Sequence, residues 1–243
     1  MIVDIMKKTV PHYSCTLPVS KNKIEFRPLL VKEEKYISQI NELSDSFSDQ
    51  LLALTELVDS CCDGKINSKN ISIYDFQYIL TELRKKSVTE TIQIKILCPY
   101  TQEPVVVDIN LNEQETTKID LRDKKELMLD GNIKLTVKTP TVLDLIQHKT
   151  SYDYNKDLYP LLSSCLLELE TETQTVNLEM KSDEDKTYVL ESLSRENFKI
   201  LKEFITEGFL VLKLNYVSSD GVEREVIVTD FINFLRFYLV TLT

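Results

Sequence analysis

Hydrophobic positions change their spacing several times along the chain. Phe76, Ile79, Leu80 and Leu83 fall three and four residues apart, which predicts a helix with one buried stripe. Ser72 and Asp75 stand where side chains cap a helix start. Arg84, Lys85 and Lys86 close the last turn, where cations complement the macrodipole. At Ile92 the period drops to two. Ile92, Ile94 and Ile96 alternate with Gln93, Lys95 and Leu97; after a loop from Cys98 to Pro104, Val105, Val107, Ile109 and Leu111 alternate with Val106, Asp108 and Asn110. Ser72 to Leu111 therefore reads as helix, strand, loop, strand, with the hairpin packed on its own helix. The same order recurs near the C-terminus. Ser194 opens a helix carrying Phe198, Ile200, Leu201, Phe204 and Ile205, and Gly208 stands as its C-cap. Leu210, Leu212, Leu214 and Tyr216 alternate, Ser219, Asp220 and Gly221 make a turn, and Val222, Val226 and Val228 return.

Other segments fill the gaps. Residues up to Lys23 form an arm interrupted by Pro11 and Pro18, with Val10 to Tyr13 and Thr16 to Ser20 extended. It lies either on its own domain or on a neighbour. A strand from Lys23 to Leu30 ends at Arg27-Pro28, and a helix begins near Val31 with a stripe of Ile37, Ile40 and Leu43. Ser44 to Ser48 reads as a break. Phe47, Leu51, Leu54, Val58 and Cys62 mark a second amphipathic helix, stopped by Asp63-Gly64. Gln114 to Asp130 is polar and reads as a partly ordered loop. Ile133 to Lys138 is a strand, Val142 to Lys149 a helix, and Ser151 to Asp157 a loop. Leu158 to Leu169 reads as a helix, Glu170 to Met180 as a weak edge strand, and Ser182 opens a short helix through Leu193. The predicted class is α+β: an arm over residues 1–23, a helical module with the first hairpin over 24–131, and a second helical module with the C-terminal hairpin over 132–243.

Composition narrows the function. Hydrophobic residues make up 42% of 243 residues, enough for a packed core. The net charge of −10 argues against a nucleic-acid grip, which needs a basic face. With 4 Gly and no G-x-G or G-K-[ST] run, phosphate loops have no material. The 2 His leave little for His-based metal sites or catalytic triads, and the 5 irregularly spaced Cys fit a reducing compartment better than a disulfide framework. Phe231 to Leu242 is apolar but holds Arg236 and falls short of the ~20 residues that span a bilayer. It reads as a buried terminal element, so neither membrane nor nucleic acid is an expected partner.

Several strings resemble the T-even-type bacteriophage baseplate hub family. They are Pro11-His12-Tyr13 with Leu17-Pro18, Glu25-Phe26-Arg27-Pro28-Leu29-Leu30-Val31-Lys32-Glu33-Glu34-Lys35, Ile73-Tyr74-Asp75-Phe76-Gln77-Tyr78-Ile79 with Leu83-Arg84-Lys85-Lys86-Ser87-Val88, and Leu193-Ser194-Arg195-Glu196-Asn197-Phe198. They run in order from about residue 11 to 235, and the string through Arg27-Pro28 to Lys35 is the most specific. The resemblance implies a structural protein of a contractile-tailed phage baseplate, in the virion tail, acting through protein–protein contacts with other baseplate and tail subunits, in several copies. The alternative is a hub assembly factor that leaves the finished particle; a tail-associated hydrolase fares worse. Hairpin tips in the family resemble Cys-x-x-Cys zinc knuckles. Here only Cys98 remains at the first tip and none at the second, Ser218 to Gly221, so neither zinc nor any cofactor is expected.

Acid pairs such as Glu33/Glu34 and Asp183/Glu184/Asp185 fall at predicted helix starts, where capping explains them better than acid–base catalysis. No enzyme is expected. The candidate partner contacts are Tyr13, Arg27, Lys32, Glu33, Lys35, Tyr152 and Tyr154. The charged string is either a solvated helix start or a contact rim, and the tyrosines are either a sticky surface or loop anchors.

Overall fold

The computed structural model describes residues 10–33, 35–36, 39, 46–87, 90–113, 115–116, 123–129, 132–148, 154–230 and 235. Among these the fold is α+β, with short antiparallel sheets packed on helices around one contiguous cluster of buried side chains.

The arm is a hairpin. Strands β1 (Tyr13–Thr16) and β2 (Lys23–Phe26) pair antiparallel, with Tyr13 opposite Phe26 and Thr16 opposite Lys23. The expected extension from Thr16 to Ser20 holds only at Thr16; Pro18 to Ser20 turn instead, closed where the Leu17 N–H donates to the Asn22 carbonyl at 2.9 Å and Lys21 takes φ 60°. Residues 31–33, 35–36 and 39 are helical, as read from the sequence; the stripe Ile37, Ile40 and Leu43 lies outside the described residues.

Helix α1 (Phe47–Cys61) starts where Ser46 accepts the Asp49 N–H, and buries Leu51, Leu54, Val58 and Cys61. It stops at Asp63 (φ 53°) and Gly64 (φ 68°), two left-handed residues, with the Gly64 N–H returning to the Asp59 carbonyl at 2.8 Å. Helix α2 (Ile73–Ser87) buries Phe76, Ile79, Leu80 and Leu83 completely, the stripe that the spacing predicts.

Strands β3 (Thr91–Leu97) and β4 (Pro104–Asn110) form the first hairpin, Thr91 opposite Asn110 and Leu97 opposite Pro104. The polar stretch after it holds more than a loop: β5 (Glu115–Thr116) and β6 (Lys124–Leu129) lie within it. In β6 one buried residue, Leu127, meets the core while Met128 faces out. An edge strand with one covered face needs few apolar residues, so its pattern is faint.

Strand β7 (Ile133–Lys138) leads to helix α3 (Val142–His148) and helix α4 (Tyr154–Ser164). The helix expected over Leu158–Leu169 is two elements: α4 begins earlier and ends at Ser164, and Leu166–Glu170 is strand β8. Leu166 and Leu169 suit either period, and pairing with Val137 and Leu135 of β7 decides for the strand. With β9 (Thr175–Asn177), an edge strand as expected, the order is β6-β7-β8-β9.

Helix α5 (Asp183–Glu191) is capped by Ser182, and helix α6 (Arg195–Thr206) by Ser194, whose hydroxyl accepts the Asn197 N–H at 3.2 Å. Gly208 is not a C-cap. Helix α6 runs straight into β10 (Glu207–Val217), and Gly208 sits where the register with β11 (Glu223–Asp230) slips between Glu207 and Leu212. Strand β10 lies between β11 and β5, and packs against both β4 and α2. The Tyr74 hydroxyl of α2 donates to the Phe204 carbonyl at 2.6 Å, tying α2 to α6, the helix before the second hairpin. Of the apolar tail only Leu235 is described; it is helical and buried.

Candidate interaction surface

The charged string near the N-terminus is folded inward at its centre. The Arg27 N–H donates to the Cys61 carbonyl at 2.9 Å, fixing the end of β2 to the end of α1. Its guanidinium then donates to Glu33 Oε1 at 2.9 Å, to the Ser60 carbonyl at 3.2 Å and to Ser60 Oγ at 3.1 Å. Glu33 Oε1 also accepts from Ser60 Oγ at 3.2 Å and from Lys32 Nζ at 3.1 Å, while Oε2 accepts the Leu30 N–H at 2.9 Å. Glu33 thus performs the backward half of a capping box and closes an ion pair at once. Arg27 and Glu33 are 7% and 5% exposed. Burial pushes the Glu33 carboxyl up, but hydrogen bonds from Arg27, the Leu30 N–H and Lys32 outweigh it and hold the group below its ordinary value. Burial likewise opposes the Arg27 charge, but the Glu33 hydrogen bond and the electrostatic pull of Cys61, Glu33 and Asp63 together outweigh it and raise its pKa.

Tyr13 is half-buried, its ring 6.0 Å from that of Phe26, with Lys86 Nζ 5.3 Å from its centroid. Lys32 and Lys35 are exposed. Tyr152 lies outside the described residues; Tyr154 begins α4. Of the seven expected contacts, then, Arg27 and Glu33 are locked inside the chain, Lys32 and Lys35 remain open to a neighbour, and Tyr13 is bound partly to its own hairpin.

A contact that the spacing does not reveal holds the arm. Asp75, in the first turn of α2, is 1% exposed. Its N–H donates to Ser72 Oγ at 3.1 Å, as a cap requires. Its carboxylate does not turn back to Ser72. Instead Oδ1 accepts the Val19 N–H at 2.8 Å and Oδ2 the Ser20 N–H at 3.1 Å, more than 50 residues away in sequence. A related start at α3 makes the reciprocal arrangement: Asp144 Oδ2 accepts the Thr141 N–H at 2.8 Å while the Asp144 N–H donates to Thr141 Oγ1 at 3.2 Å. The two starts are joined, because the Ile73 N–H donates to the Pro140 carbonyl at 3.0 Å and the Val142 N–H to the Ile71 carbonyl at 3.1 Å.

The two hairpin tips clasp each other. The Cys98 N–H donates to the Glu103 carbonyl at 2.9 Å, and Gln102 takes φ 57° to close the first tip. The second tip turns at Gly221 (φ 78°), where Arg224 donates from Nε to Ser218 Oγ at 2.8 Å and from its terminal amino group to Asp220 Oδ2 at 2.7 Å. Across the tips, the Tyr216 hydroxyl donates to Cys98 Sγ at 3.4 Å and the Arg224 guanidinium stacks 4.1 Å from the Tyr100 ring centroid. Desolvation raises the Cys98 thiol pKa, but the polar groups around the sulfur, the Thr101 and Tyr216 hydroxyls with the Thr101 and Tyr100 N–H groups, together outweigh it and bring it down to about 7. Burial pushes Cys61, Cys62 and Cys165 up to about 12 and Cys15 to about 11. The donor set does not fit a tetrahedral zinc: Cys98 is the one thiol at these tips, its sulfur is taken by Tyr216, and Asp220 is held by Arg224. Among the described residues no group of three His, Cys, Asp or Glu side chains is placed to hold a metal ion, and no helix is long and apolar enough to cross a membrane.

The sequence matches the family described as T4 bacteriophage base plate protein, over residues 10–236. The chain belongs to that family. The match spans the arm from residue 10, both later hairpins and the helices α1 to α6. This supports the baseplate expectation in its coarser form, a bacteriophage baseplate protein of the tail that meets other baseplate and tail proteins. No curated protein and no solved structure matches the chain.

Proposed function

We propose that the chain is a resident structural subunit of the baseplate, associated with its hub, that acts through protein–protein contacts and catalyses no reaction. The base plate family match over residues 10–236 carries this reading. The hub position is supported by the resemblance of the string through Arg27-Pro28 to hub subunits. The non-enzymatic role is supported by where the acids lie: Glu33 and Asp185 sit in first turns, Glu33 in an ion pair and Asp185 with its N–H on Ser182 Oγ at 3.2 Å.

Quantitative mass spectrometry of purified, intact particles tests residence. A fixed low multiple per particle is expected, because closed rings impose a set stoichiometry. Abundance in infected cells with absence from particles would make the chain an assembly factor that departs. A murein-degradation assay tests the rest: activity that disappears with one acidic side chain would make it a tail hydrolase.

A further inference from the structure

The outer face of the second hairpin is built differently from its inner face. Inward, Leu212, Leu214, Tyr216 and Val228 are buried. Outward, Val217 and Ile227 are 59% and 52% exposed, apolar side chains left in water. Beside them Glu223 stands opposite Val217, and Glu225 opposite Asn215. Neither carboxylate has an ion-pair partner among the described residues. Asn215, Val217, Glu223 and Glu225, with the flanking Tyr216 and Arg224, line an open groove of about 530 Å³.

The groove is held in shape from behind. Arg224 points to the inner side, onto the Tyr100 ring and the Asp220 and Ser218 side chains, and Tyr216 reaches Cys98. Both residues between the outward ones are thereby fixed to the first hairpin, which lowers the ordering cost of binding on the outer face.

From this we infer that the outer face of the second hairpin is a docking site for a basic, apolar-anchored segment of a different baseplate subunit. The inference rests on the baseplate reading above. Two unpaired carboxylates flanked by exposed Val217 and Ile227 fit a segment that sets Lys or Arg beside an aliphatic side chain, the pairing of opposite potentials by which interfaces choose partners. A second copy of this chain fits poorly, because the net charge of −10 brings like charge to an acidic face.

Carbodiimide, which joins a carboxylate directly to a lysine amine, tests this in intact particles. The expected result is Glu223 or Glu225 joined to a lysine of another polypeptide. Alongside it, the Glu223→Lys/Glu225→Lys chain should keep the circular dichroism and melting temperature of the unaltered chain while its share in assembled particles drops about ten-fold or more. Links from these two carboxylates only within the chain or to a second copy overturn the inference, as does unchanged incorporation of the charge-reversed chain. Links to other subunits solely at other carboxylates, such as Asp183, overturn it while leaving the baseplate reading standing. Absence of the chain from particles overturns both.

Discussion

Two charged regions, the string around Arg27 and the outer face of the second hairpin, look alike in sequence and differ in structure. Each sets Glu and basic residues beside apolar ones. In the first, Arg27 and Glu33 are buried and pair with each other, with Ser60 and with the Leu30 N–H. In the second, Glu223 and Glu225 face water, and the nearby Arg224 turns to the opposite side of the strand. What separates them is which side of the backbone each side chain occupies. In a strand that alternates strictly, so neighbours in sequence have different fates. A charge run becomes a contact rim only where its charges are left outward and unpaired.

The largest effect separating the two regions is expected from Arg27→Ala. It leaves the Glu33 carboxylate buried without its guanidinium, a loss of about 3–5 kcal/mol for a broken buried pair, measurable by urea unfolding. The pair also sets a pH dependence. Because the folded Glu33 pKa is depressed, its stabilisation is present above the unfolded carboxylate range and is lost as pH falls through the lower folded value. The gap in melting temperature between the unaltered chain and Glu33→Gln should therefore shrink on acidification.

Asp75→Ala comes next. It removes the acceptor for the Val19 and Ser20 N–H groups, costing roughly 3 kcal/mol for charged hydrogen bonds. Faster amide exchange at Val19 and Ser20, with the interior of α2 still protected, is the signature that the arm has come loose. Tyr74→Phe, which deletes the hydroxyl bound to the Phe204 carbonyl, should cost about 1 kcal/mol in the same unfolding measurement.

The elements with strong periodicity were legible in the sequence. The stripe of α2, both hairpins, strand β7 and the stops at Asp63-Gly64 and Gly221 follow from local spacing and turn chemistry. What was not legible depends on distant partners. Leu166 to Glu170 is a strand because β7 lies beside it, and β6 exists because one face of a sheet edge was available. The same holds for the candidate contacts. Arg27 and Glu33 read as either a solvated helix start or a contact rim, since nothing local shows that Ser60 and Cys61 arrive beside them. Asp75 read as a cap and proved also to be the anchor of the arm. The outer face of the second hairpin has no local signature, because Val217, Glu223 and Glu225 are told from their inward neighbours only by what packs behind the hairpin.

A smaller effect marks the clasp that holds that face. Cys98 titrates near 7 in the fold against 9.0 unperturbed, so its contribution to stability grows as pH rises from about 7 to 9 and is lost on the way down. Thiolate absorbance should appear near neutral pH, and Cys98→Ser should abolish that early step while Cys61, Cys62 and Cys165 stay protonated. The smallest effect belongs to Glu223→Lys/Glu225→Lys, expected to change stability by less than about 0.5 kcal/mol because both side chains are exposed.

Carboxylate footprinting, run on the free chain and on intact particles, tests the contrast most directly. Glu223 and Glu225 should be labelled in the free chain and protected in the particle, while Glu33 should resist labelling in both. Ready labelling of Glu33 in the free chain, or equal labelling of Glu223 and Glu225 in both states, would contradict the account.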